Sequence, residues 1–422
     1  MHGFNKRIRG NCVVKDYQHL NSAITEIGIT RGGGQSYGDS SLNFNDSVWV
    51  DKSKLTPIID FSTKDPTLVV SANVQVGPLS ERLSKMGLFL EVVPGAYWAT
   101  IGGCIAADVH GKNDYRYGSF GFSVLEMEIL DQSGKRTIVN ELKYVIGSNG
   151  LTGIISKVKL RLQRIQGNQL KRRVILTKTL SQHFDTLFSM SSQHDFSVGW
   201  IDLSKMYQSD YRGYVEVADW SSISKEKPLQ KIISIPALPI NVINKTSILA
   251  FNTLTWLKNK SLAAKGTYSS HYADYLFPTQ KIDNWNNMFG PKGFHEIQVS
   301  IPHEYLIKFI SEMSTLAKHL PIFLAAIKVI YKNGIGLLSF TRPGWSIAIN
   351  IPGSFLSDEQ ALKIISRLLE KCEARIYLTK DSVLTPEIFD RMYDTASEFR
   401  HYRAFHGYNN YFQSEMSKRL NI

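Results

Sequence analysis

The sequence predicts an α+β fold made of two parts and a closing segment. Three observations carry this. Residues 1–165 combine many glycines with short runs of β-branched and aromatic residues, the texture of strands joined by tight turns. Beyond residue 165 the glycines thin out, and strand-like runs mix with stretches of helical periodicity. The length, 422 residues, exceeds the roughly 250–300 residues at which one hydrophobic core stops growing. The expected division is 1–165, 166–375 and 376–422.

The elements follow in order. Residues 48–51 and 67–72 read as strands from their β-branched content. Gly77-Pro78-Leu79 turns into a short amphipathic helix. The run 122–130 ends in alternating apolar and acidic residues and stops at Asp131-Gln132-Ser133-Gly134, a hairpin-type turn. Alternation returns where Val158, Leu160 and Leu162 interleave with Lys157, Lys159 and Arg161. In the second part, 196–201 and 296–301 are strand-like. Residues 305–319 and 357–371 carry apolar residues at helical spacing, the latter opening on Ser357-Asp358-Glu359. In the closing segment, Pro386-Glu387 marks a helix start.

Lys and Arg number 49 against 37 Asp and Glu, a net charge of +12. That excess predicts an anionic partner: nucleic acid, a membrane surface or a phosphorylated small molecule. The basic residues are spread along the chain, with no helix-turn-helix, zinc or RNP-like signature, so nucleic acid is not the expected partner. Cys12, Cys104 and Cys372 are too scattered for a disulfide framework or a zinc site, and no metal is expected. The basic N-terminus leads into no apolar core and does not read as a secretory signal. The most apolar long stretch, 232–257, is broken by Pro236, Pro239, Asn241, Asn244, Lys245 and Asn252, so no membrane span is expected there. It reads either as an exposed, surface-seeking loop or as a buried irregular segment.

Four segments concentrate chemistry. Thr30-Arg31-Gly32-Gly33-Gly34-Gln35-Ser36-Tyr37-Gly38-Asp39 places backbone N–H groups where no Cβ blocks a phosphate, and Ser36 adds a hydroxyl donor. It is neither a Walker A loop nor the Gly-x-Gly-x-x-Gly fingerprint, and a plain surface loop is the competing reading. Small residues dominate from Thr100 to Ala107, so a neighbouring element or a flat ligand packs close to that backbone. His110 and Lys112 follow at once. Gly150-Leu151-Thr152-Gly153-Ile154-Ile155 is a turn into a strand. Tyr377-Leu378-Thr379-Lys380-Asp381-Ser382 puts a lysine at a strand end, where it matters only if the fold returns it to the glycine-rich part.

Together these segments resemble the vanillyl-alcohol-oxidase (PCMH-type) family of FAD-binding domains. Within that family the chain is similar to the branch that oxidises the ribose 2-hydroxyl of polyprenyl-phosphate sugars. Phe196-Ser197-Val198-Gly199-Trp200-Ile201-Asp202, Phe289-Gly290-Pro291-Lys292-Gly293-Phe294, Pro343-Gly344-Trp345 and the tail Ser414-Glu415-Met416-Ser417-Lys418-Arg419-Leu420 carry that narrower likeness. The resemblance implies a two-subdomain FAD-binding domain and a substrate domain whose antiparallel sheet is flanked by helices. It implies oxidation of a sugar secondary hydroxyl to a keto-sugar on a polyprenyl-phosphate-linked pentose. This would be the first half of an epimerisation in cell-wall or polysaccharide synthesis, with a short-chain reductase as partner. The runner-up is an aldonolactone or alditol oxidase using O₂. The implied location is cytoplasmic or peripheral on an inner membrane, with Lys258, Lys260 and Lys265 beside the apolar stretch suiting an anionic lipid surface.

The resemblance also assigns residues. Arg31, Gly32, Gly33, Gly34, Gln35, Ser36, Tyr37, Gly38, Asp39 and Ser40 would hold the FAD diphosphate and ribityl chain. Gly95, Thr100, Ile101, Gly102, Gly103, Ala107, Asp108 and His110 would continue the cradle. Ile155 belongs to the segment closing the adenine side, and Tyr377 would touch the isoalloxazine. His110, Gly111, Lys112, Gln298, Lys328, Ser346 and Lys380 would line the substrate. The expected catalytic residues are Lys380, Tyr37 and His110. Lys380 either stabilises charge on the reduced flavin or helps the hydroxyl lose its proton. Gln35 stands where some members carry a flavin-linking histidine, so the FAD is expected to be non-covalent. The chain departs from its branch at Ala348 for a cysteine, Ser346 for an asparagine and Asn350 for an acidic residue.

Overall fold

A computed structural model of the 422 residues describes all but 17–22, 52–57, 61–65, 206–210 and 226–231. Two sheets build the glycine-rich part. In the first, Ser47–Val50 lies between Val13–Asp16 and Gly28–Thr30, all parallel. In the second, Ile154–Arg164 runs antiparallel between Thr67–Ser71 and Val124–Leu130. The alternation read in the sequence explains its placement. Val158, Leu160 and Leu162 are buried, while Lys157 and Arg161 are exposed. The buried set packs with Leu79 and Leu83 of helix Val76–Ser84 and with Ile101 and Ile105 of helix Ile101–Ala106. The turn at Asp131–Gly134 joins Val124–Leu130 to Arg136–Ile138 as a hairpin, with Asp131 Oδ1 accepting from the Ser133 N–H at 2.9 Å.

The second part is one eight-stranded antiparallel sheet. Its order is Thr267–His271, Gln169–Thr177, Gly213–Ser221, Phe196–Ile201, Phe323–Ile330, Gly344–Pro352, Phe294–Ile301 and Arg375–Ile376. The period of two sorts its faces. Ile297, Val299, Ile327, Val329, Ile347 and Ile349 pack in one core with helices Leu180–Gln193, Leu306–Ala317 and Asp358–Cys372. The intervening residues Glu296, Gln298, Lys328, Ser346 and Asn350 therefore share the opposite face. Register sets them side by side: Glu296 opposite Asn350, Gln298 opposite Ala348, and Lys328 opposite Ser346. A one-residue slip would send this polar row into the apolar core, so the pattern pins the register.

Helix starts sit where their caps place them. Ser357 accepts from the Gln360 N–H while Gln360 returns a bond to the Ser357 backbone, a closed capping box. Thr385 caps the helix that Pro386 opens. One expectation is corrected. The 232–257 stretch is neither a loop nor an irregular segment throughout, because Lys245–Ala264 is a 20-residue helix. The residues read as interruptions build it. Asn244 Oδ1 accepts from the N–H groups of Thr246 and Ser247, and Ser247 Oγ accepts from the Asn244 N–H. Among the described residues, no helix is long and apolar enough to cross a membrane.

After Arg375–Ile376 closes the sheet, the chain passes back to the glycine-rich part. Tyr377 Oη donates to the Ala107 carbonyl at 2.9 Å. The buried Arg403 donates to the Leu151 carbonyl at 3.1 Å. Arg419 forks onto both carboxylate oxygens of Asp39 at 2.9 Å and reaches Asp381 at 2.9 Å. Helix Pro386–Met392 packs in the other direction, with Phe389 and Met392 in the core of the eight-stranded sheet.

Candidate active site

A cavity of about 480 Å³ lies between the glycine loops and the polar face of the sheet. Its walls include Gly32, Gly33, Gly34, Gln35, Ser36, Tyr37 and Ser40 from the first loop. Gly95, Thr100, Gly102, Gly103, Ala107 and His110 come from the second. Gly150 and Ile155 come from the third, Gln298 and Lys328 from the sheet, and Tyr377 and Lys380 from the returning segment.

Close packing is what demands the glycines. A Cβ on Gly32 would overlap the Thr100 hydroxyl, and one on Gly33 would overlap the Trp98 carbonyl oxygen. A Cβ on Gly38 would overlap the Asp381 carbonyl oxygen. Gly34 has φ +65°, which favours glycine for a second reason. The first loop is therefore clamped between the second loop and the Lys380 loop, and the surface-loop reading fails. The small residues of the second loop pack against a neighbouring element, the first of the two readings. Gly102 packs so that its Cβ would lie 2.9 Å from Ala72 Cβ, while Gly103 and Ala107 also border the cavity.

Lys380 and Glu296 form the charged centre. Lys380 Nζ lies 3.3 Å from Glu296 Oε1 and 3.1 Å from the centre of the Tyr37 ring. Burial pushes the Lys380 pKa below the usual lysine value, and the Glu296 carboxylate pulls it back. Burial pushes Glu296 above the usual carboxylate value, with Lys380 opposing. Burial raises the Tyr37 phenol far above its ordinary value, so it stays neutral. Lys328 is brought down to about 8 by burial, against the pull of Asp114. His110 is held well below its ordinary value by burial and by Lys328, so its imidazole is neutral. Its Nε2 lies 2.9 Å from Gln298 Nε2, and Ser346 Oγ lies 3.3 Å away, so the neutral ring accepts from the amide.

Several expected site residues sit behind the lining. Asp39 is engaged by Arg419. Asp108 is buried and accepts from Ser119, Ser339 and the Gly121 N–H, tying three loops together. Lys112 donates to the Tyr275 carbonyl and lies 3.9 Å from that ring's centre. Burial lowers its pKa to about 7. Gly38, Ile101 and Gly111 lie outside the lining, and Ser346 reaches it through Gln298 at 3.2 Å and His110 at 3.3 Å. Glu296 was not anticipated. Its signal was parity, since it precedes Gln298 by two in an alternating strand. It stands directly opposite Asn350 on the same face. Phe4, Asn149 and Trp285 also line the cavity without having been foreseen, because each lies in a stretch with no motif of its own, and Thr379 joins them from the Lys380 segment.

The lining fits the diphosphate of FAD. The charged residues on it are Arg31, Lys328 and Lys380 against Asp51, and five glycines (32, 33, 34, 102 and 103) leave backbone open to an anion. Gln35 offers no nucleophile, and its amide donates to the Gly33 carbonyl at 3.1 Å.

Comparison with known proteins agrees. The FAD binding domain family matches residues 25–140. Decaprenylphosphoryl-beta-D-ribose oxidase of Mycolicibacterium smegmatis is 28% identical, over 93% of this chain and 89% of its own. Mitochondrial D-lactate dehydrogenase [cytochrome] 1 of Saccharomyces cerevisiae is 32% identical over only 28% of this chain and 22% of its own. In structure, a solvent-stable cholesterol oxidase superposes with a TM-score of 0.65 at 13% identity, covering 100% of this chain and 97% of the other, a likeness of fold. With an FAD binding domain across residues 25–140 and a cavity walled by its glycine loops, this chain is one of the FAD-dependent oxidoreductases that act on CH–OH groups.

Proposed function

We propose that the chain oxidises a secondary hydroxyl of a pentose carried on a polyprenyl phosphate, giving the keto-sugar. The observation that carries this is the Lys380–Glu296 pair over Tyr37, with Lys328 and Gln298 on the same cavity. The likeness to decaprenylphosphoryl-beta-D-ribose oxidase over 93% of the chain supports the substrate class. Gly32 to Gly34, Ser36, Thr100 and Gly103 would hold the FAD diphosphate, and Tyr377 the ring system. When bound, FAD supplies the redox chemistry by accepting the hydride from the carbinol carbon.

The chain's own groups position the sugar and handle its proton. Lys380 Nζ is placed to hold or take the hydroxyl proton, because burial lowers its pKa from the usual lysine value while Glu296 pulls it back up. Neutral His110 and Gln298 form a fixed hydrogen-bonding wall that orients the ring hydroxyls. Lys328, with its pKa near 8, offers a cation to the substrate phosphate. A keto-sugar product calls for a reductase to give the epimer, and a short-chain reductase is the proposed partner.

The test is anaerobic bleaching of the bound flavin by a panel of sugars. Bleaching by polyprenyl-phosphoryl pentoses, and not by free pentoses or alditols, is the expected result. Bleaching by simple alditols with peroxide formation in air would replace this reading with that of a soluble-sugar oxidase.

A further inference from the structure

Helix Lys245–Ala264 is amphipathic in the wrong sense for a protein surface. The face turned inward is apolar only at its start, where Ile248 is buried, and is polar beyond it. Asn252 is 3% exposed and donates to Asp202 Oδ1 at 2.7 Å. Arg212 donates to the Thr253 hydroxyl at 3.1 Å, and Asn259 is 7% exposed. The face turned outward is apolar, with Leu254 68% and Leu257 54% exposed, flanked by exposed Leu249 and Phe251. Leu254 and Leu257 are three apart, so they lie on one stripe. Single exposed leucines are ordinary, but a helix that buries asparagines and exposes its leucines is not.

Charge bears on what would suit this face. Residues 232–265 contain four lysines (245, 258, 260 and 265) and no acidic residue. Three of the four cluster at the helix's C-terminal end, next to the leucine stripe. An apolar stripe rimmed by cations, with no anion near it in sequence, is complementary to a bilayer with anionic headgroups. The surface also connects to the site. Ile243 and Ile248, at the helix's start, pack in the aromatic cluster of Phe289, Phe294 and Phe323 that Tyr37 and Trp285 join. Trp285 and Tyr37 line the cavity, and Tyr37 carries Lys380 over its ring.

We propose that the outward face of helix Lys245–Ala264 docks this enzyme on an anionic lipid bilayer, with Leu254 and Leu257 inserted among the acyl chains and Lys258, Lys260 and Lys265 at the headgroups. The docked helix leads through its first turn to the aromatic cluster beside the cavity, the route a lipid-linked substrate would take. The inference extends the reading of a lipid-linked sugar but does not need that sugar to be tested.

The experiment is flotation of the flavin-loaded protein with vesicles of phosphatidylglycerol and phosphatidylcholine, against phosphatidylcholine alone. The wild-type chain is expected to float with the anionic vesicles and to be released by salt. The Leu254→Gln/Leu257→Gln variant should lose on the order of tenfold or more in vesicle affinity. Lys258→Gln/Lys260→Gln should lose on the order of tenfold on anionic vesicles only. Unchanged flavin content in each variant shows that the fold is intact. Wild-type protein left at the bottom of the gradient overturns the proposal, and so does equal flotation of the leucine variant. If light scattering shows a dimer that the leucine variant dissociates, without vesicle binding, the face belongs to a second copy and the proposal falls. Flotation without bleaching by any lipid-linked sugar would overturn the proposed activity and leave the docking face standing.

Discussion

Lys380 and Glu296 meet at 3.3 Å although 84 residues separate them in the chain, and they do so against the ring of Tyr37, a third remote residue. The lysine comes from the segment that leaves the sheet, the glutamate from the polar face of strand Phe294–Ile301, and the tyrosine from the first glycine loop. Each half of the pair is costly to bury alone, so each holds the other's charge.

Removing the lysine should remove the chemical step. Lys380→Ala is expected to slow anaerobic flavin reduction by roughly 10²-fold or more if Nζ acts on the hydroxyl. Stopped-flow single turnovers measure this directly. A near-normal rate in a variant that still binds flavin would take Lys380 out of the reaction.

Removing the glutamate should move a pH limb rather than abolish the rate. Glu296 raises the lysine's pKa against the lowering by burial. In Glu296→Gln only burial remains, so that pKa falls. If neutral Lys380 is the active form, the rising limb of the rate profile moves to lower pH. If the charged form is active, the falling limb moves to lower pH. Isotope-labelled lysine NMR follows the same titration without substrate. A profile that stays in place would mean that Glu296 does not set the titration of Lys380.

Flavin should come away without breaking a bond. Gln35 occupies the linking position and has no nucleophile, so acid precipitation is expected to leave all flavin in the supernatant. A yellow, washed pellet would contradict this.

The clamp on the first glycine loop should matter to cofactor retention. Gly38→Ala sets a methyl against the Asp381 carbonyl oxygen, and relief requires the first loop and the Lys380 loop to part. Overpacking of this kind costs on the order of 1–3 kcal/mol. The measurable result is flavin lost on gel filtration, more from Gly38→Ala than from Gly95→Ala, where a Cβ meets nothing within 4 Å.

Arg419 should act on stability. It joins Asp39 of the first loop to Asp381 of the last, and both carboxylates are buried. Arg419→Ala leaves two uncompensated acids and is expected to cost about 3 kcal/mol or more, read as a lower urea midpoint. Arg419→Lys should recover only part, because an ammonium cannot fork onto Asp39. Full recovery with lysine would show that charge alone, not the fork, holds the loops.

Much was legible in the sequence because it is local. Alternation placed Ile154–Arg164, the capping signals at Ser357 and Pro386 placed two helices, and the three glycine segments marked the cofactor domain. Asn244 was misread for an equally local reason. The same residue type interrupts an apolar run and caps a helix, and only its neighbours' N–H groups distinguish the two. Asp39 and Asp108 were read for a cofactor role because they sit in the right motifs. Motif membership does not say which side of a loop a carboxylate faces.

By itself the sequence determined the α+β class, the excess of positive charge and the glycine loops, all consequences of composition and of periods two and 3.6. The tertiary structure decided which residues meet. Strand register set Glu296 opposite Asn350, and the return of the last segment set Lys380 beside it. Loop-to-loop packing gave Gly32, Gly33 and Gly38 their reason. The orientation of Lys245–Ala264 turned its leucines to the outside. Those are distances between residues far apart in the chain, set by the packing of whole elements, and no local pattern encodes them.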